Sequence, residues 1–386
     1  MEFRNSNLGF TVLTFRVIAR PSLSVILSAA KNLIVSPKIL RSVRSLRMTG
    51  KDTKIATSPF HGRAPRNDKY ATTIVVDIVS ACLLYSNDPM KLKVWFLETR
   101  PQFLLLSVVL AFLGTCLAWY DGAFHLGHAL LAFVGLLLCH ISVNVLNDYY
   151  DYKSGIDLKT RRTPFSGGSG FLPAASLKPE HVFRFGLTCF LLAVPIGIYF
   201  VLVMGWFLLP LLIIGAICIL LYTPLLTRLG WPEWAPGAGM GALPVLGAYF
   251  VQTGEYTLPA VVASILSGIL VHNLLLLNEF PDTEADKEAG RKTLPITMGK
   301  RGASIVYSAL TGIVYLWIVG WVAAGLMPVF SLIALLTIPF AIKAIQGALK
   351  YEDESKLMPA MANNVLVVLL TQLLLGIGYL LAGAFD

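Results

Sequence analysis

The sequence predicts an all-α, polytopic membrane protein with nine transmembrane helices, and three observations predict it. The 386 residues are 56% hydrophobic and 14% charged, with a mean hydropathy of +0.70, whereas soluble domains carry about 25% charged residues. From Met90 onward, nine apolar runs approach the roughly 20 residues that a helix needs to cross the hydrocarbon core. All 18 Lys and Arg of that region fall in alternate connecting segments or, for Arg184 and Lys343, near the ends of runs that adjoin them, the one-sidedness expected of a fixed orientation across a bilayer.

The runs cover 101–120, 128–147, 182–204, 206–225, 235–253, 258–278, 302–324, 327–346 and 360–383. The fifth has the weakest pattern. It is rich in Gly and contains Pro236 and Pro244, residues that close helix packing in membranes tolerates. With the N-terminus inside, the basic residues all lie on the inner side, from Lys91 to Lys356. Five cysteines (Cys82, Cys116, Cys139, Cys189 and Cys218) are scattered without metal-ligand or redox spacing, and read as small core residues.

The net charge of +9 is unevenly spread. Residues 1–89 hold 13 Lys and Arg against 5 Asp and Glu, and residues 90–386 hold 18 against 17. The near-neutral body gives no reason to expect a nucleic-acid partner, and protein partners stay open. Residues 1–89 have no clean span and no orderly signal peptide. Two phrases, Ser24–Leu33 and His61–Asp68, resemble conceptual translations of repetitive intergenic bacterial DNA. Met90 opens Met-Lys-Leu-Lys-Val-Trp. The expectation is a membrane domain over 90–386, with 1–89 as a gene-model artefact. The alternative is a disordered basic tail on an anionic membrane surface.

Two acidic motifs carry the chemistry. The first is Asn147-Asp148-Tyr149-Tyr150-Asp151, followed by Asp157; the second is Asn278-Glu279-Phe280-Pro281-Asp282, followed by Asp286. A shift of 131 residues aligns them. Both fall at the inner ends of apolar runs, where acidic side chains default to a functional reading. Asp148 and Asp151 share a helix face, as do Glu279, Asp282 and Asp286. Pro281 cannot continue an interior hydrogen-bond ladder, so a new turn presenting Asp282 and Asp286 is expected there. Five acids converging without a partner would repel one another, and hard oxygen ligands suit Mg²⁺, which suits a diphosphate. The plain alternative is solvated loop charge, the reading preferred for Asp157, Glu284 and Glu288.

Basic residues follow each motif: Lys159, Arg161 and Arg162 after the first, Arg291 and Lys292 after the second. They serve topology, or stabilise a leaving diphosphate. Pro164–Gly170 is either a loop whose amides approach an anion or a flexible connector. Tyr222-Thr223-Pro224 lies at the inner end of the fourth run, and alone would read as an interfacial anchor.

These residues resemble the UbiA-type membrane prenyltransferases over essentially all of 90–386. The family's first motif is N-D-x-x-D-x-x-x-D, matched by Asn147, Asp148 and Asp151, and its second is D-x-x-x-D, matched by Asp282 and Asp286. The third acid of the first motif would fall on Gly155, with Asp157 the nearest substitute. Asn147–Asp157, Phe165–Gly170 and Asp286–Leu294 look like the dihydroxynaphthoate branch of menaquinone synthesis. The Arg-Pro-x-x-x-Gly phrase usual in the hydroxybenzoate and chlorophyll branches is absent.

The resemblance implies nine helices around a central cavity in a prokaryotic membrane, with the active site cytoplasmic. It implies Mg²⁺ held by Asp148, Asp151, Asp282 and Asp286, with Glu279 as a further ligand. It also implies a polyprenyl diphosphate held by Asn147, Arg161, Arg162, Tyr222, Asn278, Arg291 and Lys292, and an aromatic acceptor, with dihydroxynaphthoate giving demethylmenaquinone. Other acceptors (hydroxybenzoate, a lipid glycerol phosphate or a haem precursor) stay open. So does a cation-coupled transporter, although transport sites usually lie near the membrane midplane.

Overall fold

The computed structural model describes residues 89–160 and 162–385, and all elements among them are helical. A short α1 (Pro89–Glu98) precedes α2 (Pro101–Tyr120), α3 (Leu126–Ser154) and α4 (Pro179–Met204). A 3-10 turn (Trp206–Leu208) leads into α5 (Leu209–Leu221). Then come α6 (Trp234–Gly237), a π-helical segment (Ala238–Ala242) and α7 (Leu243–Thr253). The long α8 (Leu258–Glu288) is followed by α9 (Leu294–Thr297) and α10 (Gly299–Ala323). A 3-10 helix (Val329–Thr337) continues into α11 (Ile338–Ala348), and α12 covers Glu354–Phe385.

Seven of these segments are long and apolar enough to cross a membrane: α2, α3, α4, α8, α10, Val329–Ala348 and α12. The expected runs 206–225 and 235–253 are helical but depart from regular spans. Trp206–Leu221 is a shorter apolar helix, ended by the turn that contains Pro224. Trp234–Thr253 changes from α to π and back, as helices with Pro and Gly in their interior do.

The first long helix packs on the last: α2 lies against α12, α7 and α3, while α8 touches α10, the π segment and α12. Small residues permit these approaches. A Cβ at Gly114 would stand 2.4 Å from the Val245 carbonyl oxygen, and one at Gly241 2.7 Å from that of Ser267. The main core joins Leu110, Leu113, Tyr249, Leu266, Leu375 and Tyr379 across those helices.

The two motif helices are longer than the hydrocarbon is thick. With 29 and 31 residues, α3 and α8 rise about 43 and 46 Å at ~1.5 Å per residue, against a hydrocarbon core of about 30 Å. Each therefore has length to spare beyond the hydrocarbon, and the acids lie in its C-terminal third. The new turn expected at Pro281 is absent, and α8 runs straight through it. Leu276, Leu277 and Phe280 are buried on the turn before, and packing there outweighs the one lost ladder bond.

Candidate functional site

Each motif helix ends in a reversal that returns the chain to its own acids. Gly155 caps α3 at φ 82°, a left-handed conformation that glycine adopts without strain. The 3-10 turn Ile156–Leu158 then buries Asp157. The missing third acid of the first motif is thus a helix cap, and Asp157 returns to the cavity wall. At the end of α8, Gly290 takes φ 79° and the Arg291 amide donates to the Asp286 carbonyl at 3.0 Å. That closure folds the Arg291 side chain back over the acids.

The cavity between these ends has a volume of about 230 Å³. His140, Asn144, Asn147 and Asp151 line it from α3, and Asn278, Glu279, Asp282 and Asp286 from α8; Arg100, Tyr222, Arg291 and Asp157 add to the polar wall. The Asn147 amide donates to Asp151 Oδ2 at 3.1 Å and to Thr223 Oγ1 at 3.0 Å, which ties the Tyr222-Thr223-Pro224 segment to the first motif. Arg291 pairs with Asp151 and, at 2.9 Å, donates to Asp286 Oδ1. Burial opposes that guanidinium's charge, but Asp151 and Asp286 outweigh it and hold its pKa above the ordinary value.

Asp148 is buried but does not line the cavity. Its carboxylate pairs with Arg100 and accepts from the Ser169 amide at 2.8 Å. The Ser169 hydroxyl in turn donates to Glu98 Oε2 at 2.6 Å. Burial, reinforced by the charge of Asp148, pushes the Glu98 carboxyl up to about 8. Burial, then Asp151 and Asp148, pushes Asp157 up to about 7.

Other expected residues lie elsewhere. Arg162 is turned to the Ser169 carbonyl, Lys292 is exposed with its amide on the Thr227 carbonyl at 3.0 Å, and Arg161 lies outside the described residues. Lys159 and Glu288 form an exposed pair at 2.6 Å. The sequence reading missed Arg100, Glu98 and Ser169 as site residues. Their signals were weak: Arg100 counted only as an inner positive charge, although it stands directly before Pro101 at the start of a span.

Among the described residues, no three His, Cys, Asp or Glu side chains stand in metal-ligand geometry. The expected convergence of five acids is therefore not preformed, because the guanidiniums of Arg100 and Arg291 sit among the carboxylates. The donor chemistry nevertheless fits a hard cation. Asn278 Oδ1, Glu279 Oε2, Asp282 Oδ1 and Asp157 Oδ2 are buried without a hydrogen-bond partner, and all four residues line the same cavity. Buried oxygens are seldom left so.

A second cavity of about 430 Å³ is almost wholly apolar, lined by residues such as Phe190, Leu212 and Val251, and it shares Ile219, Gly239 and Met240 with the first. Fold and site together define a helical membrane protein whose acid-lined chamber adjoins an apolar one. The chain belongs to the UbiA prenyltransferase family, whose profile matches residues 107–380; it is a prenyltransferase of the membrane.

Among its relatives, the 1,4-dihydroxy-2-naphthoate octaprenyltransferase of Bacillus subtilis (strain 168) is 31% identical over 291 residues, 74% of this chain and 91% of that one. The enzyme of the same name from Escherichia coli (strain K12) is 26% identical, covering 75% and 96%. A solved UbiA homolog from Archaeoglobus fulgidus, bound to DMAPP and Mg²⁺, shares the fold with a TM-score of 0.53. Its identity is 13%, with 74% of this chain and 98% of that chain covered.

Proposed function

We propose that the chain transfers a polyprenyl group from its diphosphate to 1,4-dihydroxy-2-naphthoate, giving demethylmenaquinone. The observation that carries this reading is the cavity in which Asp151, Asp282, Asp286 and Arg291 face one another and which shares Ile219, Gly239 and Met240 with an apolar chamber beside it. A diphosphate suits the first and an isoprenoid tail the second. The likeness to the Bacillus subtilis enzyme supports the acceptor.

In this reading Asp148, Asp151, Asp282 and Asp286, with Glu279, hold Mg²⁺. When bound, the metal neutralises the diphosphate and polarises the bond that breaks. Arg291, joined by Arg100, leaves its carboxylates for the phosphate oxygens, which a guanidinium matches with two parallel hydrogen bonds. Asn147 orients Asp151, Asn278 offers its unpartnered Oδ1 to the same site, and Tyr222 faces the same space. The apolar wall of Phe103, Leu106 and Leu274 keeps water from the allylic cation. The acceptor ring attacks that cation, and the departing carboxylate restores aromaticity as CO₂.

The same reading counts Trp206–Leu221 and Trp234–Thr253 as two further crossings, nine in all. It places the acids and the basic loops on the cytoplasmic side of a prokaryotic membrane, and takes 90–386 as the catalytic body. Purified full-length protein in nanodiscs, given Mg²⁺, a long-chain prenyl diphosphate and dihydroxynaphthoate or hydroxybenzoate, tests it by mass spectrometry. Mg²⁺-dependent demethylmenaquinone is expected; prenylated hydroxybenzoate alone overturns the acceptor. An intact mass of the native protein, beginning at Met90, tests the boundary.

A further inference from the structure

The inner wall of the polar cavity carries a titratable side chain for which diphosphate and metal have no use. His140, Asn144, Asn147 and Asp151 recur at spacings of four, three and four along α3, so they form one stripe, and all four line the cavity. His140 lies two turns inward from Asn147, about 10 Å at ~1.5 Å per residue. Around it the lining is apolar: Phe103, Leu106, Val143 and Leu274.

The ring is held but not satisfied. His140 is 4% exposed, and its Nδ1 stands 2.8 Å from the hydroxyl oxygen of the wholly buried Ser107. No other hydrogen bond to either side chain exists among the described residues. A neutral imidazole has one donor and one acceptor nitrogen, and the partner at one fixes the other. Either tautomer leaves one donor without a partner: the hydroxyl of Ser107, which is wholly buried and does not line the cavity, or Nε2 of His140, which does line it and can be served by an occupant. The hydroxyl therefore donates to Nδ1, and Nε2 carries the hydrogen. A buried ring that lines a cavity thus offers one free N–H donor to an occupant.

We infer that His140, set in this tautomer by Ser107, receives the aromatic acceptor by donating from Nε2 to a ring-borne oxygen. This rests on the proposed prenyl transfer to a hydroxyaromatic acid. Such an acceptor carries anionic or phenolic oxygens on a flat apolar ring, which matches one donor set in an apolar wall. The diphosphate end lies at Asn147 and Asp151, so a ring anchored at His140 has its reactive carbon facing the leaving group.

The test uses full-length protein in nanodiscs and dihydroxynaphthoate, whose own fluorescence reports binding. His140→Phe and His140→Met remove the donor, whereas His140→Gln keeps an N–H. Acceptor affinity should fall about 10- to 100-fold in the first two, the factor for a lost hydrogen bond to a charged oxygen. It should stay within about threefold in His140→Gln, with the KM for prenyl diphosphate unchanged in all three. Unaltered acceptor affinity in His140→Phe or His140→Met overturns the inference. Should both misfold, the wild type decides: in protein with 15N-labelled histidine, the Nε2–H signal of His140 should shift when dihydroxynaphthoate binds. A signal that acceptor leaves unmoved, or a ring protonated at Nδ1 instead of Nε2, overturns it. Wild-type protein that makes no prenylated product with any aromatic acceptor defeats the proposed function instead. Product formation alongside normal binding by His140→Phe defeats this inference alone.

Discussion

Asp151 of α3 and Asp286 of α8 are held by one guanidinium, that of Arg291, which pairs with the first and donates to the second at 2.9 Å. The two acids come from the two motifs. In the absence of metal, then, a side chain from just past the second motif bridges both. Replacing it exposes the repulsion that it offsets.

Arg291→Ala should destabilise the metal-free protein by about 3–5 kcal/mol, the usual cost of leaving buried charges without their partner. Thermal unfolding in detergent without Mg²⁺ should show the loss, and added Mg²⁺ should recover part of it. Arg291→Lys should fall between, because a point charge cannot reach two carboxylates as a planar fork does. Equal melting temperatures for Arg291→Ala and wild type would remove the bridge from the account.

Asp282 is the opposite case. It hydrogen-bonds Ser166, but its buried Oδ1 has no hydrogen-bond partner and stands open to a cation. Asp282→Ala should keep a wild-type melting temperature while Mg²⁺-dependent prenyl transfer drops by at least about a hundredfold, the scale of removing one charge-stabilising group. Near-normal turnover would take Asp282 out of the metal site.

How much of this could be read in the sequence follows from what each feature depends on. Periodicity and charge sign are local, so the seven long apolar helices and the position of both motifs on helix ends were legible. The stripe Asn147–Asp151 and the trio Glu279, Asp282, Asp286 needed only helical spacing. The continuous α8 was not legible, because Pro281 breaks isolated helices and only the buried Leu276, Leu277 and Phe280 around it hold this one. Arg100 and Glu98 were missed for a similar reason. Nothing near them in the sequence shows that Ser169, some seventy residues on, hydrogen-bonds Glu98 and Asp148 at once. Arg162 was read toward the diphosphate because it follows the motif, yet the turn through Gly167 and Gly168 faces it to its own loop.

Glu98 makes the metal-free protein sensitive to pH. Its carboxyl is raised from 4.5 to about 8, chiefly by burial, so the folded state holds the proton more tightly than the unfolded chain. The stabilisation is fully present below pH 4.5 and is lost as pH rises through about 8. Between those values the melting temperature without Mg²⁺ should decline for wild type and decline less for Glu98→Gln, which is neutral throughout and still accepts from Ser169. Parallel curves for the two proteins would refute the assignment.

Ile219 stands where the acid-lined cavity meets the apolar one. A tail of several isoprene units must pass that point if it lies in the larger chamber, whereas a five-carbon group need not. Ile219→Trp should crowd the wall that the two cavities share while leaving every acid and Arg291 in place. Turnover of dimethylallyl diphosphate should then remain within about twofold, while kcat/KM for a long-chain diphosphate falls at least about tenfold. That is the effect of losing roughly two buried methylenes or more at ~0.8 kcal/mol each. Competition between the two diphosphates, resolved by product mass, reads the ratio directly. An equal loss for both lengths would mean that the substitution distorts the diphosphate end, and an unchanged ratio would place the tail along another face of the bundle.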